Sequence, residues 1–129
     1  MKSNTTYSIA IVDHNLMARA FIRRLLVDYH FTIAFEAENG QDCVDKMLRA
    51  QIPPALIILD IETPIMDGFQ TACILRTNWP FIKIIAFSSK NDTQTIDKIM
   101  AAGADFFLPK QNEIYADLII TINSVLNEP

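Results

Sequence analysis

The chain has 129 residues, of which half are apolar and a fifth are charged, and its net charge is −4. This is the composition of an ordinary globular domain with one core, and the negative charge gives no electrostatic reason to expect direct contact with nucleic acid or an anionic membrane. No apolar run approaches the roughly 20 residues that cross a bilayer, and the N-terminal segment lacks the apolar region of a signal peptide. We therefore expect a cytoplasmic domain with no membrane partner.

The two cysteines, Cys43 and Cys73, match neither a disulfide framework nor a zinc-binding spacing. In a reducing cytosol this predicts two buried thiols without a functional role.

Short aliphatic runs alternate with longer segments of helical periodicity along the chain. The runs predict five β-strands, at residues 8–12, 32–36, 55–60, 82–87 and 105–108. The other segments predict five helices: residues 16–29, a helix after Asn39-Gly40, residues 69–78, a helix capped by Asp92 that ends at Ala102 before Gly103, and a last helix capped by Asn112. Three of these helices have a predicted apolar face. In the first helix it consists of Phe21, Ile22, Leu25 and Leu26, and in the second of Val44, Met47 and Leu48. In the last helix it consists of Leu118, Ile119, Ile122, Val125 and Leu126.

This alternation predicts the fold class. Strands separated by helices of this length are normally parallel, with right-handed crossovers, and uniformly aliphatic strands are covered on both faces. The pattern therefore predicts one doubly wound α/β domain over residues 1–129. In such a sheet the functional residues gather just beyond the carboxyl ends of the strands.

Polar side chains follow four of the five predicted strands at these ends. Asp13 follows the first strand, Asp60 ends the third, Ser88 follows the fourth, and Lys110 comes just after the fifth. Each of them alone is explained by a helix cap, a turn or a solvated surface position. Together they predict one site that contains two carboxylates, a hydroxyl group and an ammonium group.

The sequence resembles the receiver domains of response regulators in two-component signalling, including the chemotaxis regulators, over nearly its whole length. The resemblance rests on five segments in the family's order: IAIVDHN, AENGQDCV, LIILDIETPIMDG, IIAFSS and AGADFFLPK. The most specific part is the D-x-x-x-P-x-M-D-G pattern that begins at Asp60. The resemblance implies a flavodoxin-like (βα)5 fold with strand order 2-1-3-4-5, and a signalling domain that contributes to its own phosphotransfer and dephosphorylation but is not an enzyme.

The resemblance also implies roles for the residues at the strand ends. Asp60 is then the phosphoacceptor, Lys110 pairs with the phosphoryl oxygens, and Ser88 supplies the switch hydroxyl group. The implied cofactor is Mg²⁺, held by Asp13, Asp60 and the backbone carbonyl of Glu62. The physical chemistry agrees, because Mg²⁺ prefers oxygen ligands and neutralises crowded carboxylates, and a lysine adds positive charge opposite the transferred group.

By the same resemblance, Phe107 takes the aromatic switch position, three residues before Lys110. If Ser88 moves to donate to a phosphoryl oxygen, Phe107 can swing into the vacated space and change the face formed by the fourth helix, fifth strand and fifth helix. A phenylalanine here is equally explained as a core residue. It also lacks the hydroxyl group of the tyrosine that is common at this position, which predicts weaker coupling.

His14 is the largest departure from the family pattern, because most receivers carry a second acid at this metal-ligand position. Imidazole suits Zn²⁺, Cu²⁺ or Ni²⁺ better than Mg²⁺, so we expect weak Mg²⁺ binding and slow or absent phosphorylation. Two alternatives are a soft-metal site of His14, Asp13 and Asp60, and a space-filling or proton-dependent role for the imidazole. A third is a pseudo-receiver that binds a partner protein without being phosphorylated.

Two further charges, Glu62 and Lys90, stand two residues after Asp60 and Ser88. In the family these positions border the path of the hydrolytic water. A Glu–Lys pair across that path predicts slower dephosphorylation, whereas two solvated surface charges explain the residues equally well.

The implied partners are a sensor histidine kinase or phosphotransfer protein, a downstream protein or output domain, and a second copy of the chain through the face of the fourth helix, fifth strand and fifth helix. Three arginines of the first helix, Arg19, Arg23 and Arg24, are a candidate kinase-docking surface or a solvated helix face. A flavodoxin-like cofactor protein is disfavoured, because DHNLMAR after the first strand has no glycine-rich phosphate loop. A phosphohydrolase with its nucleophile after the first strand is disfavoured because Asn15 stands where a second acid is needed.

Overall fold

The computed structural model describes residues 7–110 and 116–127, and strands alternate with helices throughout. The strands are β1 (Ser8–Val12), β2 (Thr32–Ala37), β3 (Leu56–Leu59), β4 (Lys83–Ser88) and β5 (Phe106–Pro109). The helices are α1 (Leu16–Asp28), α2 (Gly40–Arg49), α3 (Gly68–Asn78), α4 (Thr93–Ala102) and α5 (Ala116–Leu126). The predicted alternation is confirmed, while the expected cap of the last helix, Asn112, lies outside the described residues.

The five strands form one parallel sheet in the order β2-β1-β3-β4-β5, which confirms the fold that the resemblance implies. Val12 pairs with both Ala37 and Leu59, and Leu59 pairs with Ala86, so neighbouring strands end at the same level. Residues that follow β1 and β3 therefore lie side by side at the carboxyl edge. The strand order also reverses between β1 and β3, which is where sheets of this type form their functional crevice.

Both faces of the sheet are covered, and alternate residues of each central strand face opposite layers. On one face α1 and α5 pack on the strands, and the buried residues include Ile9, Ile11, Ile22, Leu26, Ile58, Leu118 and Ile122. On the other face α2, α3 and α4 pack on the strands, and the buried residues include Ala10, Val12, Cys43, Met47, Leu59, Leu75 and Ile99. Each large aliphatic side chain buried in this way contributes about 1.5–3 kcal/mol, so the core fixes the strand ends firmly.

Side-chain caps start four of the helices and fix where each loop of the carboxyl edge ends. The capping residues are Asn15, Asn39, Asp67 and Asp92, which accept from the amides of Ala18, Asp42, Gln70 and Thr95. The predicted cap at Asp92 is confirmed. Gly103 follows α4 with φ of 127°, a backbone region that favours glycine, as expected for the residue just past a helix.

Three packing predictions are wrong. Phe21 is 49% exposed and Leu48 is 71% exposed, because each lies one residue, about 100° around the helix, from the buried stripe of its own helix. The buried stripes are Ile22 and Leu26 in α1 and Cys43 and Met47 in α2. Cys73 was expected to be buried but lies on the outer side of α3, so it is exposed. The predicted burial of Met47 and of the apolar face of α5 is confirmed.

The thiol of Cys43 behaves as a small core group. Burial raises its pKa to about 12, so it carries almost no thiolate at neutral pH. None of the helices in the described part of the chain has the length and apolar character that would let it span a membrane.

Candidate functional site

The carboxyl edge of the sheet gathers the predicted site residues. Asp13 follows β1, Asp60 follows β3, Ser88 ends β4 and Lys110 follows β5. Asp13, Asp60 and Ser88 are only 2%, 9% and 0% exposed, respectively. Main-chain hydrogen bonds hold the positions, since Asp60 N donates to Val12 O at 2.9 Å and Lys110 N donates to Ser88 O at 2.8 Å.

The ammonium group of Lys110 joins the two carboxylates. Its Nζ lies 2.6 Å from Asp13 Oδ2 and 3.6 Å from Asp60 Oδ2, and it also lies 5.5 Å from the centre of the Phe87 ring. Asp13 and Lys110 are far apart in the chain, so the sheet topology brings them together. The site is thus a buried pair of carboxylates with one lysine between them.

The environment of Asp60 raises the pKa of its carboxyl group from 3.8 to about 6. The main cause is burial, which disfavours the charged form, and the Asp13 carboxylate acts in the same direction. Lys110 and the amide of Glu62, which lies 3.3 Å from Asp60 Oδ1, lower the pKa and offset part of this effect. At neutral pH the group is therefore mostly a carboxylate whose charge is poorly solvated.

The loop after Asp60 is held by short-range contacts. Thr63 Oγ1 donates to Met66 O at 2.8 Å, and Gly68 N donates to Ile61 O at 2.8 Å. A Cβ atom on Gly68 would come within 2.5 Å of Ile61 Cα, so only glycine allows α3 to start this close to the loop. Ile65 has φ of 71°, which for a β-branched residue costs about 1–3 kcal/mol.

Sequence reasoning missed the role of Arg19. It was assigned to a surface, but its side chain is mostly buried and its Nη1 donates to the backbone O of Asp13 at 2.7 Å. Its Nε lies 3.4 Å from Glu36 Oε1 without forming a hydrogen bond, and Arg23 binds the same carboxylate at 2.7 Å. Arg19 therefore fixes the backbone of the first acidic residue of the site. No local sequence signal distinguishes it from its exposed neighbours.

His14 does not join the carboxylates. It is exposed, and the backbone amide of the next residue, Asn15, bonds instead to Asp13 Oδ1 at 2.9 Å. Within residues 7–110 and 116–127, no group of three or more His, Cys, Asp and Glu side chains lies close enough to hold a metal ion. The alternative of a soft-metal site built from His14, Asp13 and Asp60 is therefore not supported.

The candidate switch and tuning residues lie around the site. Ser88 Oγ accepts from Lys90 N at 3.1 Å. Phe107 is partly buried against the core, whereas its neighbour Phe106 points outward, as strand alternation predicts. Glu62 and Lys90 are both exposed and form no ion pair with each other within 4 Å, so the expected Glu–Lys pair is absent from this described region.

Comparison with known proteins gives the family. The model of the response regulator receiver domain matches residues 9–122. Similar curated proteins include the chemotaxis protein CheY of Listeria monocytogenes, 29% identical over 79% of this chain and 84% of that protein. The nitrate/nitrite response regulator NarL of Escherichia coli is 29% identical over 88% of this chain and 52% of NarL. A hybrid signal transduction histidine kinase A of Dictyostelium discoideum is 30% identical over 78% of this chain, but the matched region is only 5% of the kinase.

Solved structures agree on the fold. A DNA-binding response regulator of the LuxR family from Staphylococcus aureus has a TM-score of 0.83 and 25% identity, covering 94% of this chain and 99% of that one. CheY from Borrelia burgdorferi, in a complex with CheX, BeF3 and magnesium, has a TM-score of 0.88 and 21% identity, covering 95% and 90% of the two chains. Receiver domains of this kind generally accept a phosphoryl group, bind Mg²⁺ and interact with histidine kinases and output domains. The chain, matched over most of its length by the family model, belongs to the response regulator receiver domains of two-component signalling.

Proposed function

We propose that this domain accepts a phosphoryl group on Asp60 from a phosphohistidine of a sensor kinase or phosphotransfer protein, and then presents a changed face to a downstream protein or output domain. The observation that carries the proposal is the buried Asp60 carboxylate at the end of β3, with the Lys110 ammonium group 3.6 Å away and the Asp13 carboxylate 2.6 Å from the same ammonium group. A structural ion pair needs no such arrangement, because burying a second carboxylate beside one lysine is unfavourable for stability.

The reaction requires Asp60 to attack as a carboxylate. One of its oxygens forms a bond to phosphorus while the bond from phosphorus to the donor imidazole nitrogen breaks, which gives an acyl phosphate and a free histidine. Poor solvation makes the carboxylate of Asp60 more reactive than an exposed one. Lys110 can pair with the phosphoryl oxygens, where negative charge is spread in the transition state.

The donor set fits a magnesium ion. Asp13 and Asp60 supply carboxylate oxygens at the same edge of the sheet, and the backbone carbonyl of Glu62 is the further ligand that we propose. Mg²⁺ is commonly held by one or two carboxylates and keeps several water molecules. When bound, it would supply positive charge that lets two anions approach each other. Without an acid at position 14 the protein provides one carboxylate fewer than the family pattern, so we propose weak binding.

The switch would run through Ser88 and Phe107. Ser88 is fully buried at the end of β4, and its Oγ is engaged by the amide of Lys90. A phosphoryl group adds about −1.5 to −2 charge and three acceptor oxygens, enough to draw the hydroxyl group toward it. Phe107 packs only partly against the core, and we propose that it follows the movement of Ser88. Glu62 and Lys90 would then act separately on the path of the hydrolytic water.

The surfaces of the domain suggest where its partners bind. On α1, the exposed Leu16 and Met17 lie beside the site, and an open pocket of about 380 Å³ is lined by Met17, Phe21 and Lys110 among others. This apolar surface is a better donor-docking face than the arginines first considered, because Arg19 is engaged inside. On the α4–β5 side the exposed Met100 and Phe106 support a downstream contact or a homodimer. We place the domain in the cytoplasm.

The rival proposal is a pseudo-receiver that binds partners without phosphorylation. The exposed His14, and a lysine that already bridges the two carboxylates, favour it. The test is incubation with acetyl phosphate and MgCl₂, followed by intact-mass measurement. We expect the mass of one phosphoryl group to appear in the wild type and in Asp97→Asn, an exposed control on α4, and to be lost in Asp60→Asn. A folded wild type that gains no mass, with the acyl phosphate in excess, would instead support the pseudo-receiver.

A further inference from the structure

A second cleft opens at the carboxyl edge, between the first turns of α3 and α4. Its volume is about 360 Å³, and the residues that line it are Phe69, Lys90, Asp92, Gln94, Thr95 and Lys98. The cleft is separate from the carboxylates of the candidate site. The Nζ of Lys98 lies 4.2 Å from the centre of the Phe69 ring, so an aromatic side chain from α3 holds a cation from α4 at the wall.

Cationic side chains that lack a carboxylate partner are concentrated in this cleft. Through residues 7–110 and 116–127, the cationic side chains with no carboxylate oxygen within 4 Å are Arg49, Lys83, Lys90 and Lys98. Two of these four line the cleft, in a chain whose net charge is −4. The cleft therefore presents two lysines without an ion-pair partner within 4 Å, one carboxylate, that of Asp92, and one aromatic ring.

The one acid of the lining is already engaged. Asp92 caps α4, where Thr95 donates its hydroxyl hydrogen to Oδ1 at 2.6 Å and its amide hydrogen to Oδ2 at 3.1 Å. These two hydrogen bonds, and to a smaller extent the positive charge of Lys90, keep the pKa of Asp92 below its ordinary value. The start of α4 is thus occupied by its own cap, and the groups left to attract an anion are the two lysines.

We propose that this cleft binds an acidic segment of a partner protein, with two carboxylates on Lys90 and Lys98 and an apolar side chain against Phe69. Nucleic acid and anionic membranes fit poorly, because the whole chain repels large polyanions. A small inorganic anion also fits poorly. The buried polar side chain of the lining, Thr95, already donates its hydroxyl hydrogen to Asp92 and cannot donate it to the anion. An acidic peptide can make both contacts at once, an ionic contact with the lysines and an apolar contact with the Phe69 ring.

The cleft is connected to the switch residue. The amide of Lys90 donates to Ser88 Oγ, so a ligand that holds the Lys90 loop acts on the hydroxyl group at the end of β4. An acidic segment would then bind the phosphorylated and unphosphorylated forms with different affinity. This coupling rests on the proposed function, whereas binding in the cleft does not.

The test is an amide-resolved NMR titration of the unphosphorylated protein with a short peptide of glutamate and leucine. A peptide of glutamine and leucine serves as the uncharged probe. We expect saturable shifts around Phe69, Lys90 and Thr95 with the acidic peptide alone. Because each lysine would form one exposed charge pair with the peptide, Lys90→Gln and Lys98→Gln should each weaken binding about threefold, and the double variant about tenfold.

The controls are the other two unpaired cations. Lys83→Gln and Arg49→Gln remove the same charge elsewhere and should leave the affinity within about twofold of the wild type. The proposal is overturned if these variants weaken binding as much as the cleft variants, or if the shifts are spread over the surface. It is also overturned if inorganic phosphate at equal ionic strength gives the same lysine-dependent shifts, which would assign the cleft to small anions. Asp60→Asn should still bind the peptide, so loss of phosphorylation can be distinguished from loss of peptide binding in the cleft.

Discussion

At the scale of single residues, Asp60 lies next to one cation, Lys110, whose ammonium group is closer to Asp13 than to Asp60. A buried carboxylate that shares its counter-ion is incompletely compensated, and its raised pKa measures the free energy that the folded protein loses by keeping it ionised. Under the proposed function, the same incomplete compensation would leave the oxygens of Asp60 available to a phosphorus atom.

The cost of keeping the buried Asp60 carboxylate ionised predicts that Asp60→Asn stabilises the domain at neutral pH. The folded protein binds the Asp60 proton more tightly than the unfolded chain, so this group's contribution to the free energy of unfolding falls as the pH rises from about 4 to about 6. A pKa change from 3.8 to about 6 corresponds to at most about 3 kcal/mol. Urea unfolding of metal-free protein should therefore show Asp60→Asn more stable by up to that amount above about pH 6.

The pH dependence provides the control for this prediction. Near pH 4 the Asp60 carboxyl group is protonated in the folded protein and about half protonated in the unfolded chain, so most of the advantage of Asp60→Asn should disappear there. Asp97→Asn changes an exposed carboxylate and should differ from the wild type by less than about 0.5 kcal/mol at either pH. An advantage of Asp60→Asn that persists unchanged at about pH 4 would mean that the charge of Asp60 is not its source.

At the scale of secondary-structure elements, one arginine ties together the parts of the fold on the α4–β5 side. Arg76, in the last turn of α3, donates to the backbone oxygens of Gly103, Pro80 and Ile82 at 2.8–3.1 Å. It also pairs with Asp105, whose carboxylate accepts from the amide of Ile84 at 2.8 Å. The end of α3, the start of β4 and the turn before β5 are thereby joined through one side chain.

Replacement of this arginine should therefore weaken the whole domain. We expect Arg76→Met to lower the free energy of unfolding by about 2–3 kcal/mol, because several carbonyl oxygens and the Asp105 carboxylate lose a charged donor together. Chemical denaturation monitored by the single tryptophan, Trp79, measures the change. Arg24→Met is the matched control, because Arg24 pairs with Asp28 on the exposed face of α1 and should cost no more than about 0.5 kcal/mol. Equal losses in both variants would show that Arg76 is only a surface charge.

The elements also show what sequence alone can and cannot predict. Caps such as Asp92 and the glycine after α4 were predictable, because their signals are local and act on backbone geometry. The predicted buried faces of α1 and α2 each include one residue that is exposed, Phe21 and Leu48. Periodicity shows the direction of the buried face but does not fix how many neighbouring residues it includes. The roles of Arg19 and Arg76 were not predictable, since each depends on backbone atoms that only the tertiary fold brings near.

At the scale of the whole molecule, the position of the site follows from topology. Parallel strands that end at one level place Asp13, Asp60, Ser88 and Lys110 at one edge, so their assembly could be predicted from the alternation of strands and helices. The fate of His14 could not be predicted in this way, because its neighbour Asp13 turns inward while its own side chain is exposed. The chain therefore has an imidazole at the edge where the family pattern has a second acid, and among the residues that the structure describes the site has two inward carboxylates.

A variant that restores the missing acid tests whether this difference sets the affinity for magnesium. We expect His14→Asp to tighten Mg²⁺ binding about tenfold by titration calorimetry, since one more carboxylate near Asp13 and Asp60 adds about 1.4 kcal/mol of attraction for a divalent ion. The control is the chain's other histidine, His30, which is exposed beyond the end of α1 at the amino edge of the sheet. It has φ of 68°, which aspartate tolerates. His30→Asp makes the same change in net charge far from the site and should leave Mg²⁺ affinity unchanged. If both variants bind Mg²⁺ more tightly by the same factor, net charge rather than a ligand at position 14 sets the affinity.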